Sequence, residues 1–227
     1  MKVLGLNSSA RSGGESKTDL MLNHLVSGMR EAGADVETIN LREKNIKNCV
    51  GCFTCMTKTP GKCVLKDDMT RDLFPKWLES DLVIYATPLF HHTVNATMKT
   101  FIERTWPICE PFLVEREGRW FHPLRNKHPS VVVLSVCGFP AMSAFGGLTH
   151  YVKFLYGAQE KEMLWAEIYR PGAEFMMYQN DKQKDILDAT IQAGKELVEA
   201  HRVSPETLAR VEQPLTNDVS DFAKIAI

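Results

Sequence analysis

The sequence predicts an α/β domain built on a parallel sheet with helices over both faces. Two observations carry that expectation. Strand-like segments, four of them apolar runs and one weakly alternating, occur five times, and stretches with helical spacing lie between them, the alternation of parallel strands joined by crossover helices. The bulk numbers agree: 227 residues, 44% hydrophobic and 24% charged, describe an ordinary globular chain with enough length for one large core.

The elements follow in order. KVLGLN (Lys2 to Asn7) is short and apolar and ends in small polar residues, as a buried strand does. From Lys17 to Ala32, Leu20, Met21, Leu25, Val26 and Met29 recur at helical spacing, and Gly33 stops the helix. DVETIN (Asp35 to Asn40) alternates weakly and reads as the second strand. A helix is expected over Met69 to Glu79, with Pro75 arguing for a kink or an early end. DLVIYATP (Asp81 to Pro88) is the third strand, and Asn95 to Trp106 the next helix. SVVVLSVCG (Ser130 to Gly138) is the fourth strand, Phe145 to Tyr156 a helix, Met163 to Tyr169 the fifth strand, and Asp181 to His201 a long final helix. Five strands at this spacing fit the flavodoxin-like order 2-1-3-4-5, a three-layer sandwich. The domain is expected over residues 1–201, with a cysteine loop at 48–68 inserted after strand two and a C-terminal extension at 202–227. The long connection from Pro107 to Pro129 falls outside the simple unit, and connections of that length are usually functional or mobile.

Several classes are disfavoured at once. A net charge of -1 gives no electrostatic case for nucleic acid or a membrane surface. No apolar run approaches a membrane span, and MKVLGLNSSA lacks the apolar core and cleavage site of a signal peptide, so the expected compartment is the cytoplasm. Clustered cysteines in that reducing setting mean metal, redox chemistry or catalysis more often than structural disulfides.

Ligands of an open parallel sheet sit at the carboxyl ends of its strands. The loop after strand one, NSSARSGGESKT (Asn7 to Thr18), offers hydroxyls, two glycines, Arg11, Lys17 and the amides of a helix start, which together suit a phosphate. A Walker A loop ending at Lys17 and Thr18 would need glycine where Ser16 and Arg11 stand, and a dinucleotide fingerprint starting at Gly5 meets Asn7 where its second glycine belongs. The loop resembles instead the flavin-phosphate loop of the NADPH-dependent FMN reductase family, with Ser9, Arg11, Ser16 and Thr18 in the matching positions. Ser8 stands where glycine is usual. Glu15 replaces a frequent Asn and is expected to point outward.

TPLFHHTVNATMKTFIER (Thr87 to Arg104) is similar to the second flavin loop of that family, through Pro88, Phe90, Lys99, Glu103 and Arg104. The resemblance implies that Pro88, Leu89, Phe90 and His91 flank the isoalloxazine ring, with His91 at its edge and His92 an ordinary hydrogen-bonding residue. SVCGFP (Ser135 to Pro140) would close the other side through Ser135, Cys137 and Gly138, Cys137 being a small buried thiol; Cys109 is read as structural.

The spacing Cys49-x2-Cys52-x2-Cys55-x7-Cys63 matches the compact motif of the iron–sulfur flavoproteins, a branch of the same family, and Asp67 to Met69 fits that branch too. The resemblance implies FMN, a [4Fe–4S] cluster on the four cysteines, NAD(P)H as electron donor and a small-molecule or protein redox partner. It also implies a homodimer or homotetramer, and catalysis centred on the flavin with no catalytic side chain. Zinc, two disulfides formed on oxidation, and plain structural thiols are the other readings of the cysteines. For the whole chain, a cluster-free NAD(P)H-dependent FMN or quinone reductase and a non-catalytic redox or metal sensor are the rivals.

Overall fold

The computed structural model describes residues 1–11, 14–116, 118–157, 163–177 and 180–216. Its elements in chain order are β1 (Lys2–Asn7), α1 (Lys17–Glu31), β2 (Asp35–Asn40), α2 (Phe74–Glu79), β3 (Leu82–Phe90), β4 (Thr93–Val94) and α3 (Ala96–Glu103). The chain continues through β5 (Val114–Arg116), β6 (Arg119–Phe121), β7 (Ser130–Val136), α4 (Gly146–Val152), β8 (Leu164–Arg170), α5 (Asp181–Ala200) and α6 (Pro205–Glu212).

The five long strands pair in parallel in the order β2-β1-β3-β7-β8, which is the expected 2-1-3-4-5 arrangement. The strand period of two divides each apolar run between two cores. On β7, Val132, Leu134 and Val136 pack with α1 and α5, whereas Val131 and Val133 pack with α3 and α4. The first core is sealed where α1 crosses α5 with almost no gap. A Cβ on Gly28 would stand 1.8 Å from the Ile191 carbonyl oxygen, and one on Gly194 would stand 2.1 Å from that of Leu25.

The helix starts are set by side chains. Ser16 caps α1, Asn95 α3, Asn180 α5 and Ser204 α6, each accepting a backbone N–H in the first turn. α5 ends as expected at His201, which takes the left-handed conformation (φ 59°) and stacks on Trp165.

Two expected helices are composite. A π-helical turn at Met69–Leu73 runs into α2, so the irregularity precedes Pro75, which sits in the first turn of α2 where its missing N–H costs nothing. A second π-helical turn, Lys153–Gly157, follows α4. The long connection carries the hairpin β5–β6, and β4 folds back antiparallel on β3. Of the 202–227 extension, Val203 and Val211 join the α1/α5 core and α6 packs on α5 and β8; residues 217–227 lie outside the described residues. No helix among the described residues is long and apolar enough to cross a membrane.

Candidate functional site

The carboxyl ends of β1, β3 and β7 border one cleft. Its polar end is the β1–α1 loop. The Ser16 hydroxyl donates to Ser9 Oγ at 2.9 Å while its oxygen accepts the Asp19 N–H at 3.0 Å. Ser9 in turn accepts from the Arg11 N–H at 3.3 Å, and the Lys17 ammonium folds back to the Glu15 carbonyl at 3.0 Å. Ser8 is structural: it is buried and donates to the Ala86 carbonyl at 3.2 Å. Glu15 is exposed. Arg11 stands at the mouth, 3.5 Å from the Glu174 carboxylate. Two hydroxyls, a guanidinium, an ammonium and a helix start at one point form the donor set that a phosphate monoester takes.

The opposite wall is apolar, made by Pro88, Leu89 and Phe90 of β3 and by Val136, Cys137 and Gly138 after β7. Burial pushes the Cys137 thiol up to about 11, so at neutral pH it is an uncharged wall group, its Sγ–H directed at the Phe139 carbonyl. Ser9, Arg11, Ser16, Lys17, Thr18, Pro88, Leu89, Phe90, Cys137 and Gly138 therefore come together.

Two predicted residues do not line this cleft. Ser135 is wholly buried on β7, on the strand face shared with Val131 and Val133, because each step along a strand turns the side chain over. Its hydroxyl has no hydrogen-bond partner. His91 is exposed at the tip of the β3–β4 hairpin, where it and His92 take positive φ (47° and 62°), the backbone that a two-residue hairpin turn demands. His92 is a hydrogen-bonding residue, its Nδ1 2.8 Å from the Ala144 carbonyl.

The residues that brace the loop belong to no local motif. Asn95 donates to the Ser8 carbonyl at 2.7 Å while capping α3. Arg42 lies against the Ser9 carbonyl (3.4 Å) and Asp19 (3.8 Å), and Asn7 donates to Asp19. Burial raises the Asp19 carboxyl more than Arg42 lowers it, which weakens its opposition to an anion nearby. Glu174 had no local signal, since the 173–177 turn that carries it meets the cleft only in the fold.

The cysteine loop leaves β2, the strand beside β1, at the same sheet edge. It turns through left-handed backbone at Gly51 (φ 63°), Phe53 (φ 52°) and Gly61 (φ 78°). Cys49, Cys55 and Cys63 are half-buried and Cys52 is exposed. Cys55 is raised by burial and then by the charges of Cys63, Cys52 and Cys49. The Thr54 hydroxyl and N–H lower Cys52. Cys109 is pushed up to about 11 by burial first and then by the charge of Cys55. Among the described residues, no three His, Cys, Asp or Glu side chains are arranged to hold a metal ion.

The base of this loop is a buried ion pair. Arg104 meets Asp67 at 2.6 Å and 3.1 Å, with side chains 1% and 0% exposed. Burial alone would raise the Asp67 carboxyl; Arg104 and the Lys47 and Thr70 amides outweigh it and hold it below the usual carboxylate range.

Comparison with known proteins fits this geometry. Residues 1–144 match the model of the NADPH-dependent FMN reductase family. The chain belongs to this family. An iron–sulfur flavoprotein of Archaeoglobus fulgidus is 39% identical over 107 residues, 47% of this chain and 46% of that protein. An iron–sulfur flavoprotein of Methanocaldococcus jannaschii is 32% identical over 108 residues, 48% of this chain and 53% of that protein. The chain thus spans about half the length of these curated relatives. Among solved structures, the NAD(P)H:quinone oxidoreductase of Methanothermobacter marburgensis superposes with a TM-score of 0.61 at 18% identity, covering 87% of this chain and 96% of that one, a likeness of fold.

Within this FMN reductase family member, the cleft has two ends of the kind FMN requires, a start of α1 suited to a phosphate and a flat apolar wall. Four thiols are the donor type that an iron–sulfur cluster or zinc takes, but in this structure they are not arranged to hold either.

Proposed function

We propose that the chain is an FMN-dependent oxidoreductase of the iron–sulfur flavoprotein kind, passing electrons from NAD(P)H through FMN and a [4Fe–4S] cluster to a small-molecule or protein redox partner. The observation that carries the reading is the common edge: the phosphate-suited loop after β1, the apolar walls after β3 and β7, and the cysteine loop after β2 all open at the carboxyl ends of adjacent strands. The relatives named iron–sulfur flavoproteins support the same combination.

The residues have distinct tasks. Ser9, Arg11, Ser16, Lys17 and Thr18 would hold the FMN phosphate. Pro88, Leu89, Phe90, Cys137 and Gly138 would fix the plane of the ring and keep water from it. Cys49, Cys52, Cys55 and Cys63 would ligate the cluster. The bound groups would supply two-electron uptake at the flavin and one-electron transfer at the iron–sulfur centre. The chain's own work is binding and orientation, and the neutral Cys137 thiol transfers no proton in this account.

A second reading, the cluster-free NAD(P)H-dependent FMN or quinone reductase, is favoured by the lack of a metal-holding arrangement among the described cysteines. Turnover separates both from a sensor. The chain loaded with FMN should consume NADPH or NADH continuously when a soluble quinone is supplied. Binding of FMN with no consumption of either nicotinamide would contradict the oxidoreductase reading.

A further inference from the structure

A second cavity lies at the opposite end of the sheet from the cleft. His128 stands just before β7 and Met163 immediately before β8, so the cavity opens at the amino ends of those strands, beside α3, α4 and the long connection. Its volume is about 270 Å³. An apolar cavity of about 150 Å³ already takes a benzene ring, so this space suits one substituted ring. The walls are apolar and aromatic, made by Ile102, Trp106, Leu124, Leu155, Tyr156 and Met163. Charge is cancelled at the rim, where the Lys99 ammonium meets the Glu103 carboxylate at 2.6 Å and both side chains are partly exposed. A flat, uncharged guest fits such walls.

Two polar groups of the lining are unengaged. His128 Nδ1 lies 2.6 Å from the Pro129 carbonyl. A carbonyl only accepts, so the hydrogen is on Nδ1 and Nε2 carries the lone pair. Burial holds the ring down to about 4, so at neutral pH it is uncharged and Nε2 stays an acceptor. Nε2 bonds to no described residue. It is not sealed in either: the buried side-chain atoms without a partner among the described residues are Arg104 Nε and Ser135 Oγ. Nε2 therefore opens on the cavity that its ring lines. The second group is the Tyr151 hydroxyl. Burial and then the Glu103 carboxylate push it up to about 12, so it keeps its proton. Tyr156, by contrast, is already bonded to Tyr85.

We infer that this cavity is a binding site for a small neutral phenol, whose ring lies against the aromatic wall and whose hydroxyl donates to His128 Nε2. The site is separate from the cleft and needs neither flavin nor metal. A phenolate would bring a second anion beside Glu103 and has no proton to give Nε2. An ether of the same shape would bury Nε2 without a donor, which carries the cost of an unsatisfied polar atom. Tyr151 remains as a donor to an oxygen on the guest.

Calorimetric titration with para-cresol and with para-methylanisole, its methyl ether, tests the site. Para-cresol should bind the parent chain at one site, about tenfold more tightly than the ether. In His128→Phe, which keeps a ring against Trp77 and loses the acceptor, the two should bind alike. Leu155→Trp, which fills the cavity, should lose both. In the parent, the nitrogen resonance of His128 Nε2 should move when para-cresol is added and stay in place with the ether. No binding of para-cresol, equal binding of the two compounds to the parent, or an unmoved Nε2 resonance would overturn the inference. Para-cresol held at parental affinity by Leu155→Trp would place it elsewhere on the surface and overturn it too. If Leu155→Trp does not fold, His128→Phe and the Nε2 resonance decide.

Discussion

Arg11 is a residue that the proposed phosphate site would use and the fold would not. Its guanidinium is well exposed and meets Glu174 only at 3.5 Å, and exposed pairs of that kind add little stability. Arg11→Ala should therefore leave the melting temperature unchanged while weakening FMN binding about tenfold, the loss of roughly one charge-assisted contact to phosphate. Calorimetric titration with FMN checks this, and an unchanged Kd would remove Arg11 from the phosphate site. Such residues were legible because a phosphate loop is local: Ser9, Arg11, Ser16, Lys17 and Thr18 lie within one strand-to-helix turn. Ser135 and His91 lie off the cleft because strand pleat and hairpin conformation decide where their side chains go. Nothing in the local sequence marks a His-His pair for positive φ, a conformation usually left to glycine or asparagine.

At the scale of elements, the contact between α1 and α5 is the most exacting. Gly28 and Gly194 let the two backbones touch, and any Cβ there meets main-chain atoms that cannot step aside. Gly28→Ala should cost about 3 kcal/mol or more by overpacking, despite the better helix propensity of alanine. Urea denaturation measures the cost, and a variant at least as stable as the parent would mean that the helices cross less closely. Four of the strands were readable as apolar runs bounded by polar turns, and β2, DVETIN, by its weak alternation. The π-helical turns, the β5–β6 hairpin and α6 were not: the first two depend on packing against distant residues, and α6 is short, with its apolar positions thinly spread. Thr207 and Val211 become its buried face only when α5 and β8 are beneath it.

Over the whole molecule, strand order followed from the alternation of elements, whereas the tie between Arg104 and Asp67 joins residues 37 apart and could not be read from either motif alone. The stability of the assembled domain carries a pH dependence from His128, whose ring sits edge-on to Trp77 at 4.6 Å and near Tyr156. Burial holds it down to about 4 from the usual 6.5. The unfolded chain then binds the extra proton first, so stability is intact above about pH 6.5 and falls as pH drops from there through about 4, by at most about 3 kcal/mol. Denaturation at pH 7 and pH 4 should show that part of the acid loss disappear in His128→Gln; an equal loss in both chains would assign it to other groups. The cofactor content of the purified protein is the most direct test of the cleft and the cysteine loop together. Protein prepared without oxygen should show flavin bands with a broad brown shoulder, and assays of the same sample should give about one flavin and about four irons with matching sulfide per chain. Cys52→Ser should remove the shoulder and spare the flavin. Flavin without iron would contradict the cluster and leave the reductase, and the absence of flavin after incubation with FMN would contradict the cleft itself.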